Sequence, residues 1–229
     1  MPQFPQFQAI ADHAVLVSFA DAISAQAHET VVALDRALAA DMPHGATETV
    51  PALVNLLIAF DPLVTDHAAV SDHIRSLLAG LATTEVAGQD RQVMVCYEAP
   101  FSPDLVAVAK ATGLTVEAVI NAHLSGDFHV LMYGFAPGYA YLAGTPEAIQ
   151  VPRKPAAVRD VPAGSVIIAG PQCLITTLTM PTGWSIIGRS PTKVLTGDPD
   201  RPFLLDVGDR VVFQRIDAAT FARMERANG

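Results

Sequence analysis

Tyr133-Gly134-Phe135-Ala136-Pro137-Gly138-Tyr139-Ala140-Tyr141-Leu142 follows the strand-like run His129-Val130-Leu131-Met132. Two glycines, one proline and four aromatic rings fall within these ten residues. Gly134 and Gly138 permit a positive φ or a close backbone approach, and Pro137 fixes its own φ and removes a donor. Such a turn suits a rigid apolar platform for a flat or small ligand. It equally suits a buried corner of a β-barrel, where glycines and rings recur. From His129 onward, short apolar runs alternate with Gly/Pro turns at spacings of about 8 to 15 residues, the pattern of a small closed β-structure. The runs are 130–133, 165–169, 173–178, 185–187, 192–195 and 210–215.

Upstream of the turn, Pro103 and Asp104 open a helix to about Thr112, and Thr115 opens another to about Leu124. Residues 217–226 read as a terminal surface helix. The beginning of the chain has a different rhythm. Ala14 to Phe19 reads as a strand, and Asp21 and Ser24 offer caps for a helix over 25–40. Residues 47–50 and 53–60 read as strands, Asp66 caps a helix through Leu78, and Gln92 to Cys96 is a further strand. The order β-α-β-β-α-β is the ferredoxin-like split βαβ arrangement. The expected class is therefore α+β: a ferredoxin-like domain over 1–98, then a β-barrel domain over 99–229 with two leading helices.

The chain has 229 residues, 51% of them hydrophobic and 16% charged, and a formal net charge of −9. It can bury a substantial core, and its acidic balance argues against a nucleic-acid footprint, which needs a basic face, while leaving room for a local basic site for an anionic substrate. Cys96 and Cys173 lie far apart without a CxxC partner, which fits two reduced thiols in a cytoplasmic protein. The first cationic side chain is Arg36, so no signal-peptide basic region opens the chain. The apolar stretch 50–60 is shorter than the roughly 20 residues that span a bilayer. A soluble cytoplasmic protein is expected.

GxxxxGK[ST], GxGxxG and HExxH are all absent. His67 and His73 lie six apart on one expected helix and so face different sides, which favours solvation over metal binding. No metal site is expected. His129 sits on the strand entering the turn, either as a satisfied structural residue or as a catalytic one. Tyr133, Tyr139 and Tyr141 can wall a pocket or pack a core. Arg153, Lys154 and Arg159 form a basic cluster in an extended loop, which is either solvated or a clamp for a carboxylate or phosphate. Gln172 follows Gly170-Pro171 and can hold a carbonyl or ureido group. Arg189 stands between Gly188 and Pro191, placed equally for a clamp or for a buried ion pair. Trp184 is expected to be buried at a barrel edge.

These segments recur in a set: Val151-Pro152-Arg153-Lys154, Val161-Pro162-Ala163-Gly164-Ser165-Val166, Pro181-Thr182-Gly183-Trp184-Ser185-Ile186-Ile187-Gly188-Arg189-Ser190-Pro191 and Leu205-Asp206-Val207-Gly208-Asp209-Arg210-Val211. With the aromatic turn, the set resembles the allophanate hydrolase subunit 1 family, which includes 5-oxoprolinase subunits, a sporulation-kinase inhibitor and half of the urea carboxylase carboxyltransferase region. The resemblance covers most of the chain and is densest from Val95 to Phe213. One stretch departs from it: where the family pattern reads Q-T-G-I-Y-P, this chain has Gln172-Cys173-Leu174-Ile175-Thr176-Thr177. Thr182 likewise replaces a glycine.

The resemblance implies a cyclophilin-like barrel and a role as one subunit of an ATP-dependent 5-oxoprolinase. The partners would be an allophanate hydrolase subunit 2-type protein and a third subunit, with ATP bound together with the partner subunits. It also admits a biotin-dependent carboxyltransferase half acting on urea or a related amide, and a module that binds and inhibits a sensor histidine kinase. On the enzymatic reading His129 and Arg189 are the catalytic candidates. Tyr133, Phe135, Pro137, Tyr139, Tyr141, Arg153 and Gln172 are the substrate-binding candidates. The turn, Gln172 and Arg189 are expected to line one pocket for a small polar acid.

Overall fold

Alternating apolar residues build the first sheet. The computed structural model describes residues 3–22, 24–81 and 88–228. Strand β1 (Gln6–Ile10) forms an antiparallel hairpin with β2 (Ala14–Ser18), which buries Val15 and Val17 on one face. Helix α1 (Ala25–Ala40) begins where the Ser24 hydroxyl accepts from Ala27 N, and its Val31, Leu34 and Leu38 stripe lies on the sheet. Strands β3 (Ala46–Pro51) and β4 (Asn55–Phe60) follow, with Leu56, Ile58 and Phe60 inward. Helix α2 (His67–Gly80) is capped by Asp66, which accepts from Ala69 N at 2.9 Å, and adds Val70 and Ile74 to the same core.

The sheet order is β1-β2-β4-β3, antiparallel throughout. The β2-α1-β3-β4-α2 portion follows the expected split βαβ order. The outer strand beside β2 comes from the N-terminal hairpin rather than from Gln92–Cys96, which corrects the expected arrangement. That stretch belongs to β5 (Asp90–Cys96), a strand of the barrel. Chain contacts accordingly separate Met1–Ala87 from Gly88–Gly229, ahead of the boundary expected after residue 98.

The second unit opens with β5, then α3 (Leu105–Thr112) and α4 (Val116–Leu124), the two expected helices. Strands β6 (Phe128–Tyr133), β7 (Ala140–Ala143), β8 (Val158–Val161), β9 (Ser165–Ala169), β10 (Gln172–Ile175), β11 (Met180–Thr182), β12 (Ser185–Arg189) and β13 (Arg210–Ile216) follow, and α5 (Ala218–Asn228) ends the chain. Seven of these strands close into a barrel in the order β10-β7-β6-β13-β5-β12-β9. The pairs are antiparallel except β5 with β13, which run parallel. The run 192–195 does not form a strand; Leu195 makes one isolated bridge to Phe203.

Val93, Val95, Phe128, Val130, Leu142, Val166, Ile168, Cys173, Ile175, Ile187 and Phe213 fill the interior. Ile167, Ala169, Leu174 and Ile186 point the other way and form a second apolar layer with Val161, Met180, Trp184 and Tyr139. The β8–β11 ribbon supplies Val161 and Met180 to that layer. Strand β9 is thus buried on both faces, which is why it reads as a continuous apolar run. Trp184 is 5% exposed, as its position between turn and strand foretold. Cys96 and Cys173 are free and buried. No single helix among the described residues is long and apolar enough to cross a membrane.

Candidate functional site

Strand register sorts the candidate residues by barrel end. Arg210, His129, Ala143, Gln172 and Ala169 form one row of paired positions across β13, β6, β7, β10 and β9. Tyr133 pairs with Ala140 at the other end of β6, and Arg189 pairs with Ser165 and Cys96 at the far end of β12. His129 and Gln172 therefore lie at the opposite strand ends from the aromatic turn and Arg189. A single pocket holding all of them does not form.

His129 Nε2 lies 3.1 Å from Asp127 Oδ2, and Arg210 Nε donates to Asp127 Oδ1 at 2.9 Å. The Arg210 hydrogen bond, followed by that of His129, holds the Asp127 carboxyl below its ordinary range. His129 is half exposed in this surface ion-pair group. Gln172 is half-buried at the start of β10.

The turn itself is ordered by its own backbone. Tyr139 N donates to Ala136 O at 3.0 Å, and Gly134 N donates to Tyr139 O at 3.2 Å. Phe135 has φ +69° and is 74% exposed, an apolar ring held outward by a backbone conformation that costs a non-glycine residue energy. Pro137 is exposed beside it. Gly138 has φ +66°, and a Cβ there would lie 2.8 Å from Leu195 Cδ2 and 3.0 Å from Phe203 Cδ1. The turn is docked on the loop after β12, and only glycine fits the junction.

The rings divide between two faces. Tyr139 and Tyr141 meet edge-on at 5.6 Å, Tyr141 meets Trp184 at 6.1 Å, and the Arg153 guanidinium lies 5.6 Å from the Trp184 ring centroid. Burial, reinforced by Tyr141, pushes the Tyr139 hydroxyl up to about 12, so it stays protonated at neutral pH. Tyr133 points elsewhere. Its hydroxyl donates to Leu205 O beside a recess of about 200 Å³ lined by Arg91, Phe203 and Asp206. Of the basic loop, Lys154 pairs with Asp104, whose Oδ2 also accepts from Ile186 N at 2.7 Å, and Arg159 is exposed.

Arg189 borders a groove of about 470 Å³ with Gly164, Thr177, Ser190, Lys193, Leu195 and Glu225. Its Nε donates to Ala163 O at 3.1 Å, its Nη2 lies 3.5 Å from Glu225 Oε1, and its guanidinium lies 5.6 Å from the Phe221 ring centroid. It is thus anchored to backbone and loosely paired, and it borders open space. Thr176 and Thr177, which end the stretch departing from the family pattern, line the same groove.

Two buried clusters were not anticipated. His123 is fully buried, with Nδ1 2.7 Å from the Tyr97 hydroxyl and Nε2 3.5 Å from Cys173 Sγ, between the Phe128 and Phe213 rings. Burial alone lowers its pKa to about 3, and burial raises the Cys173 thiol. Its spacing from Val119 and Ile120 places it on the inward stripe of α4, a signal present in the sequence. Asp209 is also buried and accepts from Gln89 N at 2.8 Å, Arg91 Nε at 2.7 Å and Asp206 N at 3.0 Å, fixing the start of β13. His67, expected to be solvated, meets the Phe60 ring edge-on at 5.0 Å. No group of three potential metal ligands occurs among the described residues.

Residues 5–205 match the family described as carboxyltransferase domain, subdomain C and D. The chain is 32% identical to a 5-oxoprolinase subunit from Bacillus subtilis (strain 168), covering 97% of this chain and 98% of that protein. It superimposes on the crystal structure of TTHA0988 with a TM-score of 0.80 at 31% identity, covering 90% of this chain and 40% of that one. This chain thus spans less than half of that longer protein. The Kluyveromyces lactis urea carboxylase gives a TM-score of 0.80 at 16% identity over 97% of this chain and 22% of its own, a likeness of fold.

Proposed function

The chain belongs to the carboxyltransferase domain, subdomain C and D, family, and from that premise we propose that it is one subunit of an ATP-dependent 5-oxoprolinase. The observation that carries this reading is the end-to-end similarity to a 5-oxoprolinase subunit, with neither chain overhanging the other appreciably. A relative that is itself one subunit implies others beside it. We assign the partner role to an allophanate hydrolase subunit 2-type protein, with a third subunit completing the complex in the cytoplasm.

The chemistry requires help from outside this chain. A lactam is a resonance-stabilised amide, and transfer of a phosphoryl group to its oxygen supplies the electrophile that unaided hydrolysis lacks. The sequence has no P-loop, so ATP is assigned to the assembled complex rather than to this chain alone. Within the chain, the Arg189 end of the barrel is the part that faces substrate on this reading. Arg189 positions it, while Phe135 and Pro137 present an exposed apolar edge to the partner. His129 and Gln172 lie outside that site.

Glutamate release from 5-oxoproline with ATP tests the reading, measured for the purified chain, for its partner and for both together. Activity is expected only on assembly. Robust turnover by the single chain would overturn the subunit role. Carboxyl transfer by the complex, dependent on biotin and without lactam opening, would replace the reading with the one that the family description favours.

A further inference from the structure

The groove beside Arg189 keeps polar groups that the fold itself does not use. Lys193 is exposed and makes no ion pair or hydrogen bond among the described residues. Thr177 Oγ1 is buried without a hydrogen-bond partner, an arrangement that native structures seldom leave unused. Ser190 Oγ accepts from Thr192 N at 3.1 Å, which leaves its own hydrogen free to donate. Thr176 is different. It accepts from Ser165 N at 2.9 Å and donates to Pro162 O at 2.7 Å, so its hydroxyl is spent on the fold.

The floor of the groove is rigid. Ser190 N donates to Gly164 O at 2.7 Å, and Gly164, at φ +81°, lies so close that a Cβ would stand 2.3 Å from Ser190 O. The charged groups lining the groove are Arg189, Lys193 and Glu225. Two cations outnumber one carboxylate, and that carboxylate holds Arg189 only at 3.5 Å. Hydroxyls whose hydrogen-bonding capacity the fold leaves unspent, beside a surplus positive charge, favour an anion over a neutral or cationic ligand.

We propose that this groove binds a small oxyanion, a carboxylate or a phosphoryl group, between the Lys193 ammonium and the outer nitrogens of Arg189, with Ser190 and Thr177 as hydroxyl donors. The Glu225 carboxylate is the internal competitor, which the bound anion displaces from Arg189. The site stands on the groove's own chemistry and does not depend on the lactam reaction.

The test is titration calorimetry on the full chain at low ionic strength, with inorganic phosphate in one arm and L-5-oxoproline in the other. At least one ligand is expected to bind with a Kd of about 1 mM or tighter. Binding of phosphate alone identifies a phosphoryl site, and binding of 5-oxoproline alone identifies a carboxylate site. Binding of both in competition keeps the shared oxyanion chemistry. Lys193→Ala, on an exposed side chain, should weaken binding about fivefold or more, and Thr177→Val about threefold. Glu225→Gln should tighten it about threefold, a gain that a purely structural role would not produce. If neither ligand binds, or if Lys193→Ala and Glu225→Gln both leave binding unchanged, the proposal is overturned. Because binding is read directly, a failure of lactam opening in the assembled complex leaves this result standing.

Discussion

At the end of the barrel marked by Arg210, His129 and Gln172, the charged side chains already have partners. Asp127 takes both His129 and Arg210, and Asp90 lies 3.7 Å from the same arginine. At the end marked by Arg189, partnership among the described residues is incomplete. A lysine is free and an arginine is held by one backbone carbonyl and a loose carboxylate, whereas a buried threonine hydroxyl without a partner occurs at both ends, Thr177 here and Thr145 there. His129, one of the two catalytic candidates in the sequence, stands at the end whose charges are paired. Chemistry needs groups whose hydrogen-bonding capacity is still open, and the location of open capacity is a tertiary fact.

The largest effect is expected in the interior that joins the two ends. His123 links Tyr97, just beyond β5, to Cys173 in β10. Its folded pKa of about 3 lies below the ordinary histidine value of about 6.5, so on acidification the unfolded chain takes the proton first. This contribution is fully present above about pH 6.5 and is lost as pH falls towards 3. The loss is on the order of 5 kcal/mol at the low end. Urea unfolding at pH 7, 5.5 and 4 should show it, and His123→Gln should flatten the slope while lowering stability at pH 7. An unchanged slope in the variant would assign acid sensitivity to other groups and remove His123 as the link.

Activity should separate the ends next. Arg189→Lys keeps the charge and loses the planar fork, so kcat/KM of the assembled complex should fall about 10- to 100-fold with little change in Tm. Gln172→Ala should stay within about twofold. A reversed ranking would move the site to the His129 end. A Tm collapse in Arg189→Lys, with normal activity in the remaining folded protein, would make Arg189 structural.

Much of the barrel was legible because its runs are short, apolar and separated by glycine and proline. Of the two leading helices, the second starts at a true cap, Thr115, whereas Asp104 at the start of the first spends its carboxylate on Lys154 and Ile186 N. The assignment of β5 was not legible. Its parallel partner β13 lies far along the chain, with Asp90 beside Arg210, and nothing local tells a strand which sheet it will join. The run 192–195 has strand-like residues, but Gly197 turns the chain and only Leu195 finds a bridge. At the proposed site, Arg189 stands out in the sequence because Gly188 and Pro191 flank it. Gln172 could not be placed, because a four-residue strand carries its amide to the end opposite Thr176 and Thr177. By sequence, the aromatic turn suits a ligand platform or a barrel corner. In the structure it braces the loop whose Leu195 lines the groove.

That bracing gives a smaller, structural test of the difference between the ends. Gly138→Ala puts a methyl against Leu195 and forces alanine to φ near +66°. Destabilisation of about 1–2 kcal/mol is expected, with weaker ligand binding in the Arg189 groove. A stable variant with an unchanged groove would show that the loop holds itself.

The smallest effect belongs to the end whose charges are paired. Asp127 is the hub for His129 and Arg210, yet all three side chains are at least about half exposed to solvent. Exposed pairs are screened by salt and contribute little. Asp127→Asn should therefore leave kcat/KM of the complex within about twofold and shift Tm by no more than the measurement scatter at about 0.15 M salt. A modest loss appearing only at low ionic strength fits this picture. A large loss of activity at physiological salt would mean that the Asp127–His129 pair acts on substrate, and the contrast between a charge-paired end and an open end would fail at the residue that defines it.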